Sequence, residues 1–434
     1  MRTRLPALWR GLPAPIRRAA HQGLSSLRNG ANRTVQAIRD GRRAAAEQAA
    51  RARTAWRAHR WPGASPSGPV TVVGFLGAVH GLGEGGRMLV RGFQDGGQDV
   101  RALDLSRDVG FTVDIPCESP APRPWERGVV ISHINPPELL YWIGLTEGRE
   151  IYRRRHIGYW AWELEEIPED WLPAFDLVDE VWAPSEFAAR AIRAAAPRRV
   201  KVTAAPYPVY LNPRPAADRA RFDLPAGAVV VLMAFDLRST AQRKNPYAAL
   251  RTFHQAVSMT PREAILVCKV MGVEHAPQTF QDLQALTADM PAVRLMTQSL
   301  SAQDMAVLTA SCDIVLSLHR SEGYGLLLAE AIWNGKAAIA TGWSANAEFM
   351  DPASSVLVDY QLTSVRGDGA IYTQGQWAEA DEMDAAAKLA RLIDNDAWRQ
   401  ALSKATAENR HASFQPRAWT ALMKTLLPGL NWPA

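Results

Sequence analysis

Apolar and polar positions alternate along this chain in blocks rather than residue by residue. Short, continuous apolar runs rich in β-branched residues recur at Val70–Leu76, Asp99–Leu105, Val129–Ser132, Val181–Pro184 and Val200–Ala204, then at Val229–Phe235, Ile265–Val270, Val293–Gln298, Asp313–Leu318 and Lys336–Thr341. Runs of this length without a polar face predict strands buried on both sides, as in parallel sheets. Helical stretches fall between them: Arg87–Gln94 after a glycine-rich turn, Glu186–Ala195 capped by Ser185, and Pro246–Val257 with Pro246 at its first position. Leu326–Trp333 ends at Asn334-Gly335, a helix starts at Ser301, and Arg417–Leu427 reads as an amphipathic helix. Strand, helix and strand in succession make an α/β chain of βαβ units.

The loop in the unit from Asp313 to Thr341 holds Glu322, Gly323, Tyr324 and Gly325, and Glu330 follows eight residues after Glu322. Two carboxylates therefore bracket a helix start whose free N–H groups favour anions, and Glu330 lies about 7–8 Å along the helix from its start at Gly325. A sugar diphosphate with its ribose needs about that reach. Glu322 suits hexose hydroxyls, the amides from Gly323 to Leu326 suit sugar or phosphate oxygens, and Glu330 suits both ribose hydroxyls. In the exit loop of the Val229–Phe235 strand, Asp236, Arg238, Ser239, Arg243, Lys244 and Asn245 precede Pro246. Cations at a strand-to-helix turn suit a diphosphate. Lys269 lies near the end of the next strand. His133 lies at the carboxyl end of its strand, where open parallel sheets bind ligands, before Pro136-Pro137 break the chain.

These residues resemble the Glu-x7-Glu signature of retaining, nucleotide-sugar-dependent glycosyltransferases of family 4. FDLRSTAQRKNPYAALRTF at 235–253 is similar to that family's phosphate-binding Arg-Lys loop, with Lys244 matching well and Arg238 and Arg243 both open for the arginine. GLGEGGR at 81–87 resembles its N-terminal loop, and 157–187 resembles the run into its first domain's last strands. The resemblance implies the GT-B architecture: two Rossmann-like parallel-sheet domains facing a cleft, at 69–210 and 211–412, with 413–434 returning to the first. It implies transfer of a hexose from UDP- or GDP-hexose to a glycan or lipid-linked acceptor, with Glu322, His133 and Lys244 at the chemistry. Gly83, Glu84, Arg243, Lys244, Lys269, Gly323, Tyr324, Gly325, Leu326 and Glu330 would hold the donor, and the base would stack near Thr297–Leu300. It implies no cofactor and no metal ion; Asp394-Asn395-Asp396 reads as a turn or helix cap rather than a metal motif. The acceptor residues stay unassigned.

A rival reading is a dehydrogenase. Gly81, Gly83 and Gly86 match G-x-G-x-x-G after a strand, and Asp104 follows 18 residues later. Glu84 would stand inside the pyrophosphate nest of such a site, where its charge repels phosphate. A non-catalytic binding protein of the same architecture is a third reading. Trp142, Trp160, Trp162, Trp171 and Trp182 crowd one stretch and read as core or interface packing, with Glu163 or Glu165 open as ligands for acceptor hydroxyls.

Composition changes the picture at one end. Residues 1–60 hold fourteen Arg against Asp40 and Glu47, which is +12 of a net +5, so the rest of the chain carries −7. A basic, Ala-rich segment with Leu5, Leu8, Trp9, Leu12 and Ile16 suits either the face of an anionic membrane or a solvated extension, ending at a linker through Pro69. With few aromatics and an acidic body, nucleic acid is a poor partner. Cys117, Cys268 and Cys312 show no metal-ligand spacing, and no apolar run reaches the ~18 residues that span a bilayer, so the sequence predicts a cytoplasmic protein, peripheral on the membrane if residues 1–60 bind there.

Overall fold

A computed structural model describes residues 67–123, 126–146, 154–211, 214–366, 372–408, 414 and 416–432. The basic segment 1–60, and with it the membrane-facing reading, lies outside the described residues. The chain divides into two compact units, and the larger, Arg60–Leu139 with Arg149–Ala434, holds both sheets. Among the described residues no helix is long and apolar enough to cross a membrane.

The first half runs β1 (Val70–Gly74), α1 (Gly81–Asp95), β2 (Val100–Asp104), β3 (Val129–His133), α2 (Pro136–Thr146), β4 (Arg155–Tyr159), β5 (Glu180–Ala183), α3 (Glu186–Ala195) and β6 (Lys201–Ala204). All pairings are parallel, in the order β2-β1-β3-β4-β5-β6. The second half runs β7 (Val229–Asp236), a single turn α4 (Ala241–Lys244), α5 (Pro246–Ser258), β8 (Ala264–Met271), α6 (Pro277–Thr287), β9 (Val293–Met296), α7 (Ala302–Ser311), β10 (Ile314–Ser317), α8 (Leu326–Trp333), β11 (Ala337–Thr341) and β12 (Val356–Val358). Its order is β12-β11-β10-β7-β8-β9. An antiparallel hairpin, β13 (Tyr360–Ser364) with β14 (Gln376–Ala380), follows, then α9 (Glu382–Asp394), α10 (Asp396–Glu408) and α11 (Pro416–Leu426).

Each parallel sheet reverses its winding once, at β1/β3 and at β7/β10. Beyond the carboxyl ends of such strands the chain leaves a crevice, because successive loops depart in opposite directions. Everything with candidate chemistry emerges there. Both faces of the second sheet are buried, Val230, Leu232, Ile265, Val267 and Val315 on one and Val229, Val231, Leu266, Cys268 and Ile314 on the other. That two-sided burial is why its strands lack a polar period. The first cluster is continuous with the core of β1, β3 and β4, through Tyr207, Tyr324 and Phe349. Helix α11 returns to the first half, where the Trp419 ring meets Phe93 at 5.3 Å and its Nε1 donates to Pro206 O.

Several expectations are corrected here. Helix α1 begins at Gly81 rather than Arg87, so the glycine-rich stretch is its first turns. Pro136-Pro137 open helix α2, a first-turn position that needs no N–H, instead of breaking the chain. Strand β9 ends at Met296. Strand β4, RHIGY, carries too many polar residues to read as an apolar run. They are satisfied inside the protein: His156 Nε2 meets Ser132 Oγ at 2.9 Å, and the His156 N–H donates to Asp179. Asn395 caps α10, accepting from the Trp398 N–H, so Asp394-Asn395-Asp396 is a helix boundary.

Candidate functional site

The β10–α8 loop is built around Glu322. Its N–H donates to Ser344 Oγ at 2.8 Å, and its carboxylate takes Lys244 Nζ at 2.5 Å and Arg243 Nη1 at 3.2 Å. Beneath it, His319 is fully buried between Ser317 Oγ (3.0 Å) and Asn346 Oδ1 (2.9 Å). Burial alone would raise the Glu322 carboxyl, but Lys244 and Arg243 outweigh it and hold it at about 2. Burial lowers Lys244, with Glu322 opposing. The pair is held by strained backbone. Four described non-glycine residues have positive φ, and three of them flank it: Thr240 (61°) and Asn245 (51°) at the two ends of α4, and Ser344 (73°), which receives the Glu322 N–H. Such outliers cost of order 1–3 kcal/mol each and persist where the fold fixes a working geometry.

Arg243 is buried among partners from both halves. Its side chain is 3% exposed, donates to Ser321 O at 2.8 Å, pairs with Glu322 and lies 3.7 Å from Glu163 Oε1. Burial works against its charge, but Tyr372 and the two carboxylates outweigh it and raise its already high pKa. Arg238 is the more accessible arginine, bound to Asp236 and reaching across to Val79 O at 2.9 Å.

Among the described residues of this edge, Lys269 is a buried cation whose Nζ has no bonded partner. Its residue is 1% exposed and Nζ has no hydrogen bond; burial lowers its pKa, with Asp236 opposing. Strand register places it. Lys269 pairs with Ala234 of β7 and Met296 of β9, and it shares the sheet face of Ile265 and Val267, the face that α8 covers. On that face the row continues through Ala234 to Ser317 of β10, both small and only partly buried among otherwise buried strand positions. Small residues beside a buried, unpartnered ammonium leave room and charge for an anion. Tyr324 carries an unpartnered buried hydroxyl in the same loop, Gly325 turns at φ 92°, and partly buried Leu326 opens α8. Glu330 stands half-buried on α8, four residues after Leu326, and Thr297–Leu300 lead from β9 to Ser301, the cap of α7.

In the first half, His133 is fully buried, so it is a wall residue rather than a surface one. Its Nε2 meets Tyr207 OH at 2.8 Å, its Nδ1 has no partner, and burial lowers it to about 3, which keeps the ring neutral. Glu84 turns back on its own helix, to Arg87 at 2.8 Å and Arg91 at 2.7 Å. Gly83 N–H donates to the His80 cap, and a side chain at Gly83 would stand 2.3 Å from Ala78 O. Asp104 Oδ1 accepts from the Gly77 and Ser106 N–H groups, which ties the end of β2 to the loop after β1.

The two halves meet through the Glu322 loop itself. Ser185 Oγ donates to Gly323 O at 2.7 Å, Ser321 Oγ donates to Glu163 O, and Gly323 lies so close that a Cβ would be 2.8 Å from Trp162 O. Trp160, Trp162, Trp171 and Trp182 are all buried, and Trp162 meets Tyr372 of the second half with ring centroids 5.6 Å apart. Sequence reasoning missed Ser185's second bond, Ser321, Ser344, Tyr372 and the link from Arg243 to Glu163. Each joins residues tens of positions apart with no local pattern. Among the described residues no group of three His, Cys, Asp or Glu gathers as a metal site would.

No family model and no curated protein matches the sequence. Solved structures do. HepE from Anabaena, in complex with UDP and glucose, aligns over 84% of this chain and all of its own, with 14% identity and a TM-score of 0.59. A glycosyltransferase from Rickettsia africae covers 83% of this chain and 98% of its own (12%, TM-score 0.56), and sucrose-phosphate synthase from Thermosynechococcus elongatus the same shares (16%, TM-score 0.60). These likenesses show the fold: the two six-stranded parallel sheets are a GT-B architecture.

Proposed function

We propose that the protein is a retaining glycosyltransferase of the family 4 kind, moving a hexose from a nucleoside diphosphate sugar to a hydroxyl acceptor. The observation that carries this reading is the ionised Glu322–Lys244 pair, set on strained backbone at the switch point of the second sheet. Glu322 accepts from hexose hydroxyls and faces the positive charge that builds on the sugar as its bond to the diphosphate breaks. Lys244 and Lys269 meet the charge growing on the departing diphosphate, and preorganised charges of this kind are worth most where water is excluded. The N–H groups opening α8 add their dipoles, and Glu330 takes the ribose. HepE's complex with UDP and glucose makes a UDP-hexose the first donor to test, with a GDP-hexose second. The basic residues 1–60 would bring such an enzyme to an anionic membrane carrying its acceptor.

Nucleotide titration against melting temperature tests the reading. A ligand at 100 times its dissociation constant adds about 2.7 kcal/mol to stability. UDP or GDP should raise the melting temperature and NADH should not. A shift with NADH alone would favour the oxidoreductase, and no shift with any of them would leave a binding or scaffold protein of this fold.

A further inference from the structure

One arginine in the joint serves two carboxylates from opposite halves of the molecule. Arg243 Nη1 lies 3.2 Å from Glu322 Oε2 and Nη2 lies 3.7 Å from Glu163 Oε1. The other Glu163 oxygen accepts from Tyr372 OH at 3.0 Å, Tyr372 packs on Trp162 with ring centroids 5.6 Å apart, and the guanidinium carbon sits 5.7 Å from the Tyr372 ring centre. The guanidinium is therefore fixed from three sides. Its Nη1 faces one Glu322 oxygen, while Lys244 Nζ takes the other at 2.5 Å.

We propose that Glu163 is a positioning residue: acting through Arg243, it sets the place of the Glu322 carboxylate and so ties the donor loop to the first domain. It touches no substrate in this scheme. With Glu163 present, Arg243 is shared between two anions and Glu322 stays free to turn from it to a hexose hydroxyl. Without that charge, Arg243 collapses onto Glu322 and displaces it, and displacements near 1 Å at such positions can cost ~100-fold in rate. The role in turnover rests on the glycosyltransferase reading, whereas the coupling through Arg243 does not.

Glu163→Gln isolates the charge. The contact from Ser321 Oγ is to the Glu163 main-chain oxygen and survives, and the glutamine carbonyl still accepts from Tyr372. We expect kcat to fall about ten- to a hundredfold while the dissociation constant of free UDP or GDP stays within about twofold, since the nucleotide sites are untouched. The loss should nearly vanish in an Arg243→Lys background, where no fork remains to transmit it. A wild-type kcat in Glu163→Gln, or an equal loss in both backgrounds, overturns the proposal. The same double-mutant cycle read on melting temperature needs no substrate. If the wild type binds no nucleotide, the functional reading fails while this cycle still decides the coupling, and additive melting shifts would sink the inference alone.

Discussion

At the scale of single residues, Lys269 and Glu322 carry opposite kinds of burial. Glu322 is largely withdrawn from solvent, its side chain 12% exposed, with its counter-charges in place, so it stays ionised well below neutral pH. Lys269 is buried with its ammonium unbonded, and folding keeps it at a cost. A side chain that costs stability and fills no structural need is expected where a ligand supplies the missing partner. Lys269→Met, which keeps the length and removes the charge, should therefore raise the melting temperature of the free protein by the equivalent of about 1 kcal/mol or more. The same change should weaken UDP or GDP binding by about 1.5–3 kcal/mol, the typical worth of a hydrogen bond to a charged group. Thermal denaturation and calorimetry on one variant read both. A less stable variant that binds nucleotide as the wild type does would make Lys269 a core lysine and nothing more.

At the scale of elements, helix α1 shows what glycine is used for at the binding edge. A Cβ on Gly83 would meet two main-chain oxygens, Ala78 O at 2.3 Å and Phe75 O at 2.8 Å, which cannot step aside as a side chain would. Gly83→Ala should destabilise by about 3 kcal/mol or more by forcing the helix start away from the strand. Gly81→Ala, two residues earlier with nothing within 4 Å, should be neutral or stabilise by up to about 1 kcal/mol. Urea unfolding of the pair checks this, and equal effects would remove the close-approach argument. The same helix shows where sequence reading stops. Buried parallel strands are legible because two-sided burial writes a continuous apolar run, as at β7 and β8, and the βα loop holding Glu322 could be placed from its flanks. The start of α1 was not, since glycines are poor helix formers and only the tertiary packing under Gly83 selects them. Strand β4 hid its nature because Arg155 and His156 find partners from Glu180 and Ser132, far along the chain. Lys269 could be seen as a lone cation in a strand, but that Arg243 belongs to Glu163 follows only from tertiary contact.

For the whole molecule, the joint between the halves is polar and charged where it touches the site. Glu348 accepts from the Glu186 and Phe187 N–H groups at 2.9 and 2.6 Å, so a carboxylate of the second half sits on the N-terminus of α3 in the first, beside the bond from Ser185 to Gly323. The stability of the whole fold responds to pH through its buried histidines. His133 and His156 are fully buried, and burial lowers them to about 3 and about 4, from an ordinary value of 6.5. Between those values and 6.5 the unfolded chain binds protons that the folded one refuses. The stability of the neutral rings is thus intact above pH 6.5 and is lost as pH falls, at about 1.4 kcal/mol per unit for each ring. His80, lowered to about 4, and His319 act in the same direction. Glu322 adds its loss only below about 4.5, while Glu138 and Glu180, raised by burial, oppose the trend as they protonate. From pH 7.5 to 5.5 the His133 and His156 rings alone should therefore remove roughly 3 kcal/mol from the unfolding free energy. Denaturant midpoints at the two pH values measure it, and His133→Gln should flatten the slope by one proton. A slope that His133→Gln leaves unchanged would mean that this ring takes up its proton inside the folded protein as it does in the unfolded chain, and the neutral His133–Tyr207 contact would be wrong.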